Sequence, residues 1–283
     1  VDINPASVEI TQLALWLHTA KADQPLSNLD QHIKCRNSLI GPIFYEWRKD
    51  LLSWTEDQKE TINIFDWNAA FPEVFSSDNP GGPGFDCIVG NPPYVKLQNF
   101  RKVHPEMAEY LKDGEIKADI PVYESTQSGN FDLFLPFIEK SISLLNARGG
   151  LGFIAPSLWR YNEYGDGLKK FLKRGGHLER WIDFGSFQVF EEAITYTALQ
   201  FYTRDRKEHV CLKLAPDGEM ARAPDWGDQE WLVPYVNLPE KEIWAFVSRS
   251  ERNLLNKLNS SCRRLGDPKI TKAIFQGLIT SDS

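Results

Sequence analysis

The stretch FDCIVGNPPY, Phe85 to Tyr94, decides how the rest of the chain is read. Cys87, Ile88 and Val89 form an apolar run closed by Gly90, which predicts a buried strand, and that strand ends abruptly in Asn91-Pro92-Pro93-Tyr94. A polar side chain thus stands on a stiff loop at a strand's carboxyl end, the edge at which open α/β sheets bind ligands. The two prolines fix φ and lack N–H donors, so Asn91 and Tyr94 are presented with little freedom, and the carbonyls of Asn91 and Pro92 stay free as acceptors. Such a corner suits a donor-rich planar amine. The Asn91 side-chain oxygen and the Pro92 carbonyl each accept one N–H of an NH2 group, drawing its lone pair out of conjugation and aiming it at an electrophile, while Tyr94 stacks on the attached ring. The same four residues also read as a proline-stiffened turn that merely closes a strand, so the flanks have to decide.

Upstream, Val1-Asp2-Ile3 ends a predicted strand, and Asn4-Pro5 opens a helix as N-cap and first helical residue. Val8, Ile10, Leu13, Leu15, Trp16 and Leu17 make that helix too apolar for a surface, so it is expected to pack on a sheet. Asp2 stands where a nucleotide-binding α/β unit carries the carboxylate that accepts from ribose hydroxyls, and it also reads as a plain capping carboxylate. His32 to Cys35 predict a short strand running into a polar turn at Arg36-Asn37-Ser38, and a helix is expected from Tyr45 to Trp54. Val95 to Pro121 is polar, with a short helix around Glu106 to Leu111, and reads either as a loop that closes over substrate or as a passive connection. From Asn130 the spacing of Leu133, Phe134, Phe137, Ile138, Ile142 and Leu145 predicts a helix stopped by Gly149-Gly150, followed by a strand from Leu151 to Ala155. A helix from Tyr164 to Arg174, capped by Gly175-Gly176, and strands at Leu178–Phe184, Thr197–Thr203 and Val210–Leu214 complete the pattern.

These segments resemble, motif by motif, the amino-methyltransferases that use S-adenosyl-L-methionine, above all the N6-adenine DNA methyltransferases fused to nucleases in type IIG restriction-modification enzymes. Asn91-Pro92-Pro93-Tyr94 looks like their motif IV, VDINPASVEITQLALWL like motif II and its helix, and KCRNSLIG, Lys34 to Gly41, like motif III. FDWNAAFPEVF, Phe65 to Phe75, resembles the segment just before the catalytic strand. The helix, Gly-Gly turn and strand that follow Asn130 look like motifs V and VI, and FGSFQVFEEAITYTALQFY, Phe184 to Tyr202, resembles motif VIII. The resemblance implies that Asp2 meets the cofactor's ribose, Asn37 its adenine with Asp66 as the rival, and Phe137 packs on that adenine. It makes Asn91, Pro92, Pro93 and Tyr94 the catalytic corner, with Asn91 also beside the cofactor, and Phe190 the second wall of a target-base pocket facing Tyr94. The implied partner is double-stranded DNA with a flipped adenine.

The totals fit that expectation in part. With 283 residues and 42% hydrophobic content the chain has enough apolar surface for a sizeable core. No run of about 18 apolar residues appears, so a soluble, cytoplasmic protein without a membrane partner is expected. Cys35, Cys87, Cys211 and Cys262 are widely spaced and the histidines show no HxxxH pattern, which argues against zinc and a disulfide framework. A net charge of −7 speaks against nucleic acid unless basic surface is local, and Lys169, Lys170, Lys173, Arg174, His177 and Arg180 are a candidate for it beside the alternative of a solvated helix face. The expected fold is α/β, a Rossmann-like and mostly parallel sheet with an antiparallel strand near its end, followed by the start of a second domain. Residues 1–214 are read as the methyltransferase domain without its glycine-rich first motif, which would leave the isolated segment nearly inactive, 215–238 as a linker, and 239–283 as a helix and the start of a target-recognition domain. Alternatives are methylation of a glutamine amide or of ribosomal RNA, and a non-catalytic DNA-binding or scaffolding module.

Overall fold

The computed structural model describes residues 1–20, 29, 31–48, 54–55, 60–117, 119–190, 195–215, 231–247 and 249–273. In chain order the elements are α1 (Pro5–Thr19), α2 (Ile43–Trp47), α3 (Trp67–Ala70), β1 (Phe85–Gly90), α4 (Leu97–Val103), α5 (Pro105–Asp113), β2 (Glu115–Lys117), β3 (Ile120–Pro121), α6 (Phe134–Leu144), β4 (Leu145–Pro156), α7 (Asp166–Gly175), β5 (Leu178–Asp183), β6 (Thr197–Thr203), β7 (His209–Leu214), β8 (Trp231–Pro234) and α8 (Arg249–Ser261). Contacts divide the chain into a unit from Val1 to Trp244 and a second from Ala245 to Ser283.

Six strands form one sheet in the order β1-β4-β6-β5-β7-β8. β1 runs parallel to β4, and β5 parallel to β7, while β6 lies antiparallel between β4 and β5. Four strands therefore share one direction, as the apolar runs separated by helical patterns led one to expect. The expected antiparallel strand is wedged inside the sheet, and a second one, β8, pairs antiparallel with β7 within the stretch read as a linker. β4 alternates buried Leu151, Phe153 and Ala155 with half-buried neighbours, the signature of a strand with packing on its inner face.

Several expectations need correction. The apolar run predicts a buried β1, yet β4 is its one partner among the described residues, Cys87 and Val89 are exposed, and Val89 is 80% exposed. α1 begins as expected, with Asn4 Oδ1 accepting from Ala6 and Ser7 N–H, but Val8 is its buried residue while Ile10, Leu13, Leu15 and Leu17 are exposed. The predicted strands around Asp2 and Cys35 shrink to one parallel bridge, framed by Asp2 N–H to Lys34 C=O at 3.0 Å and Arg36 N–H to Asp2 C=O at 2.8 Å. Gly149-Gly150 do not stop α6, which ends at Leu144; they lie inside β4, where the register against β1 slips between Phe85↔Leu145 and Cys87↔Gly150. The slip inserts extra residues into one strand, and glycine accommodates the close approach there.

The expected helix from Tyr45 to Trp54 is described only as α2, since residues 49–53 lie outside the described set, as do 216–230 of the expected linker and 274–283 of the expected recognition-domain start. Residues 95–117 and 119–121 hold more helix than the short one expected around Glu106 to Leu111. α4 and α5 fold there, with Met107, Ala108, Tyr110 and Leu111 buried and the Tyr110 ring 5.1 Å from Phe44 and 5.4 Å from Trp47. The helix read from Pro239 starts only at Arg249, because Trp244 is claimed by the first unit, where it packs on Trp159 at 5.6 Å and donates through its indole to Pro239 C=O at 2.7 Å. No helix among the described residues is long and apolar enough to cross a membrane.

Candidate catalytic corner

β1 ends at Gly90, whose missing side chain leaves room for the Phe153 ring of β4, 3.0 Å from where a Cβ would stand. The chain then turns into Asn91-Pro92-Pro93-Tyr94 at the carboxyl edge of the parallel strands. Pro92 is buried and anchors the turn, while Asn91 is exposed. Among the described residues no donor reaches the Asn91 amide or the carbonyls of Asn91 and Pro92, so three acceptors are unpaired at one corner.

Tyr94 is held in place. Its hydroxyl donates to Ile154 C=O of β4 at 2.9 Å, and burial pushes the phenol up to about 12, so the ring stays neutral. Its ring meets Phe134 of α6 at 6.4 Å and Phe190 at 6.3 Å, both edge to face. Beyond Tyr94 the backbone is stitched to the start of α6 by Leu133 N–H to Val95 C=O and Leu97 N–H to Phe131 C=O, each at 2.9 Å. There burial raises the Asp132 carboxyl above its usual value and the facing Lys96 pulls it down.

The residues assigned to a cofactor lie on a neighbouring set of segments. Asp2 bridges to Cys35, and Asn37, two residues on, bridges to Ile64, so Asp2, Asn37 and Asp66 follow one another across three parallel segments. Asp2 is exposed and one of its oxygens accepts from Asn4 N–H at 2.7 Å. Asn37 is only 8% exposed: its amide donates to Ile62 C=O at 3.3 Å and to Met107 Sδ at 3.4 Å, and its oxygen accepts from Leu39 N–H. Asp66 is exposed; one oxygen caps α3 by accepting from Asn68 and Ala69 N–H. Burial lowers the Lys140 ammonium, and the Asp66 carboxylate facing it draws it back up. Lys140 and the half-buried Phe137 are one turn apart on α6, the helix whose Phe134 touches Tyr94. α6 thus spans the distance from Asp66 to the corner.

FDWNAAFPEVF folds into an aromatic cluster, Phe65, Trp67, Phe71 and Phe75, that closes on Phe85 at the start of β1 with centroids 5.5 to 5.9 Å away for the last three. The basic run is largely engaged. Lys169 is buried on Asp166 at 2.7 Å, and Lys170 and Arg174 face Glu124 at 3.5 and 2.6 Å. His177 Nδ1 donates to Thr203 C=O at 2.9 Å. Sequence reasoning missed Arg160 and Asp183, an ion pair at 2.7 Å beside the loop that carries Phe190. The visible hint was an acidic residue closing an apolar strand.

A sheet of this order with a polar corner at the carboxyl edge of its parallel strands is a Rossmann-like α/β arrangement whose ligand edge carries the corner. The model of the Eco57I restriction-modification methylase family matches residues 1–190, and the chain belongs to that family. It is 36% identical over 125 residues to the type II restriction enzyme and methyltransferase RM.Eco57I of Escherichia coli, covering 44% of this chain and 12% of that protein. It is 30% identical over 246 residues to the type II methyltransferase M.BstVI of Geobacillus stearothermophilus, covering 78% of this chain and 37% of that one. The solved type IIG restriction endonuclease BpuSI superposes with a TM-score of 0.40 and 15% identity over 62% of this chain and 22% of its own. The chain therefore spans well under half the length of these relatives.

Proposed function

We propose that the protein transfers a methyl group from S-adenosyl-L-methionine to the N6 amine of an adenine flipped out of double-stranded DNA. The observation that carries this reading is the set of unpaired acceptors at Asn91 and Pro92 beside the anchored ring of Tyr94. Family membership and the restriction-modification relatives support DNA as the substrate.

The chain's own residues divide the work. An adenine amine donates one N–H to Asn91 Oδ1 and one to the Pro92 carbonyl, which localises its lone pair and aims it across the corner. That amine is inside the base pair in duplex DNA, so the base must leave the stack first. Tyr94 and Phe190 receive it. Their rings now meet edge to face at 67°, and because Tyr94 is tied down through its hydroxyl, Phe190 is the ring that turns to complete the stack. No described side chain at the corner is placed as a strong base, and the proton passes to water after attack.

Exposed Asp2, exposed Asp66 and half-buried Phe137 fit the polar and apolar sides of an adenosine. When bound, the cofactor supplies an electrophilic methyl group. Asp2 would hold its ribose and Phe137 one face of its adenine. Asp66, with an oxygen to spare, suits the adenine amine better than Asn37, whose amide is engaged inside the chain.

The test is transfer of labelled methyl from S-adenosyl-L-methionine to three substrates: adenine-containing duplex, a glutamine-bearing peptide and ribosomal RNA. Label in duplex adenine, lost on Asn91→Ala, supports the reading. Label in peptide or RNA alone overturns it, and no transfer to any of them favours a non-catalytic module.

A further inference from the structure

The loop that carries Phe190 is organised by a buried ion pair that the chemistry above leaves unused. Asp183 closes β5, and Arg160 ends a short 3-10 turn, Leu158–Arg160, that follows β4. They are 8% and 7% exposed. Arg160 Nη2 donates to Asp183 Oδ2 at 2.7 Å, Trp181 Nε1 donates to the same oxygen at 3.2 Å, and Gly185 N–H donates to Oδ1 at 2.9 Å. One carboxylate therefore gathers donors from the β4 side, from its own strand and from the departing loop. The loop needs both parts of this turn, since Gly185 sits at φ +58°, in the left-handed region that favours glycine. Tyr161 backs the guanidinium at 4.3 Å and Trp181 at 5.5 Å.

From Gly185 the path is determined step by step. Phe187 N–H returns to Phe184 C=O at 3.0 Å, and Phe187 and Val189 pack on the buried cluster of Ile182, Phe184 and Ala215. The same loop carries Phe190, whose ring lies 6.3 Å from that of Tyr94. Stability alone is a poor account of the pair, because a buried ion pair is often matched or exceeded by apolar residues of the same volume. A pair that fixes the direction in which a loop leaves its strand has a different use, which apolar side chains do not supply.

We infer that Asp183, with Arg160 as its counter-ion, is a positioning residue for the target base, setting the loop so that Phe190 meets the ring that Tyr94 stacks on. The inference rests on the adenine reading above. Asp183 touches neither base nor cofactor and acts through Phe190.

Asp183→Asn keeps the shape and an acceptor for Gly185 while removing the charge that holds Arg160. In the complete protein we expect KM for a duplex carrying its methylation site to rise roughly tenfold, with kcat changed by less than about threefold. An adenine opposite a mismatch is easier to flip, so the deficit should shrink on a mismatched duplex. Damage to folding alone would lower transfer on both duplexes alike. Phe190→Ala should reproduce the deficit, and combining the two substitutions should add little to it. Hydrogen exchange should quicken at the amides of residues 184–190 and stay unchanged across β5. If Asp183→Asn does not fold, Arg160→Lys carries the same expectations, because an ammonium lacks the planar fork. A folded variant with unaltered KM and unaltered exchange over 184–190, or a deficit fully additive to that of Phe190→Ala, overturns the assignment. Absence of adenine methylation by the unsubstituted protein would strike the functional reading instead, and the exchange comparison would still decide whether Asp183 holds the loop.

Discussion

Asn91 and Asn37 are the same residue in similar settings, each in a polar turn after a short apolar run, and they differ in what their amides have left to offer. Asn37 is engaged on both sides, by Leu39 N–H and by Ile62 C=O and Met107. Asn91 meets no described partner. Asn91→Ala should cut methyl transfer by about a hundredfold or more while stability stays within about 0.5 kcal/mol. Asn37→Ala should instead cost about 1–3 kcal/mol by stranding buried polar groups, read as a lower urea midpoint. Tyr94→Phe keeps the ring and gives up the bond to Ile154, so we expect a loss of about 1 kcal/mol with transfer largely retained. Because burial raises the Tyr94 phenol to about 12, the rate profile should show no limb from it across neutral and mildly alkaline pH. A limb near pH 10 that disappears in Tyr94→Phe would contradict this. The sequence could place both asparagines on edges, but which one is free depends on α5 arriving over the first of them.

Elements with strong periodicity were legible: α7, β5, β6 and β7 lie within a residue or two of their expected bounds. Gly176 ends α7 at φ +65°, as a Gly-Gly pair after a basic last turn predicts. The misreadings have a common cause. Gly149-Gly150 look like a helix stop, and Trp231–Pro234 looks like linker, because only the neighbouring strand shows that either belongs to the sheet. The basic run behaves likewise in part: Asp166 faces Lys169 from one turn earlier on α7, but Glu124, which faces Lys170 and Arg174, is brought there by the fold. His177 carries a consequence. Burial, and Arg174, Arg204 and Arg206 around it, push its imidazole below the usual value, outweighing the Thr203 carbonyl. Unfolded chains bind the extra proton first, so stability should fall as pH drops from about 6.5 toward the depressed folded value. Urea midpoints at pH 7.5 and 5.5 should show this, and His177→Gln should flatten the difference.

At the scale of the whole chain, contacts carry the first unit through to Trp244. Trp244 is buried on Trp159 and Tyr235, its N–H donates to Arg160 C=O at 2.9 Å, and Lys169 Nζ donates to Glu242 C=O at 3.1 Å. Residues 239–244 are therefore a strap on the first unit. Trp244→Ala should destabilise that unit by about 3–5 kcal/mol. Thermal unfolding followed by tryptophan fluorescence would measure it, and an unchanged midpoint would return the strap to the status of a linker.

The amino-acid sequence by itself determined the α/β class, the order of the strongest strands and helices, and the corner at Asn91, because these depend on local periodicity and on the stiffness of two consecutive prolines. Tertiary structure decided which side chains have unused valence. It engaged Asn37 and Arg174, bared Val89, tied Tyr94 to β4 and joined Arg160 to Asp183 across 23 residues of chain. Hydrogen bonds and ion pairs of that kind form between segments distant in sequence, and no pattern within either segment encodes its partner.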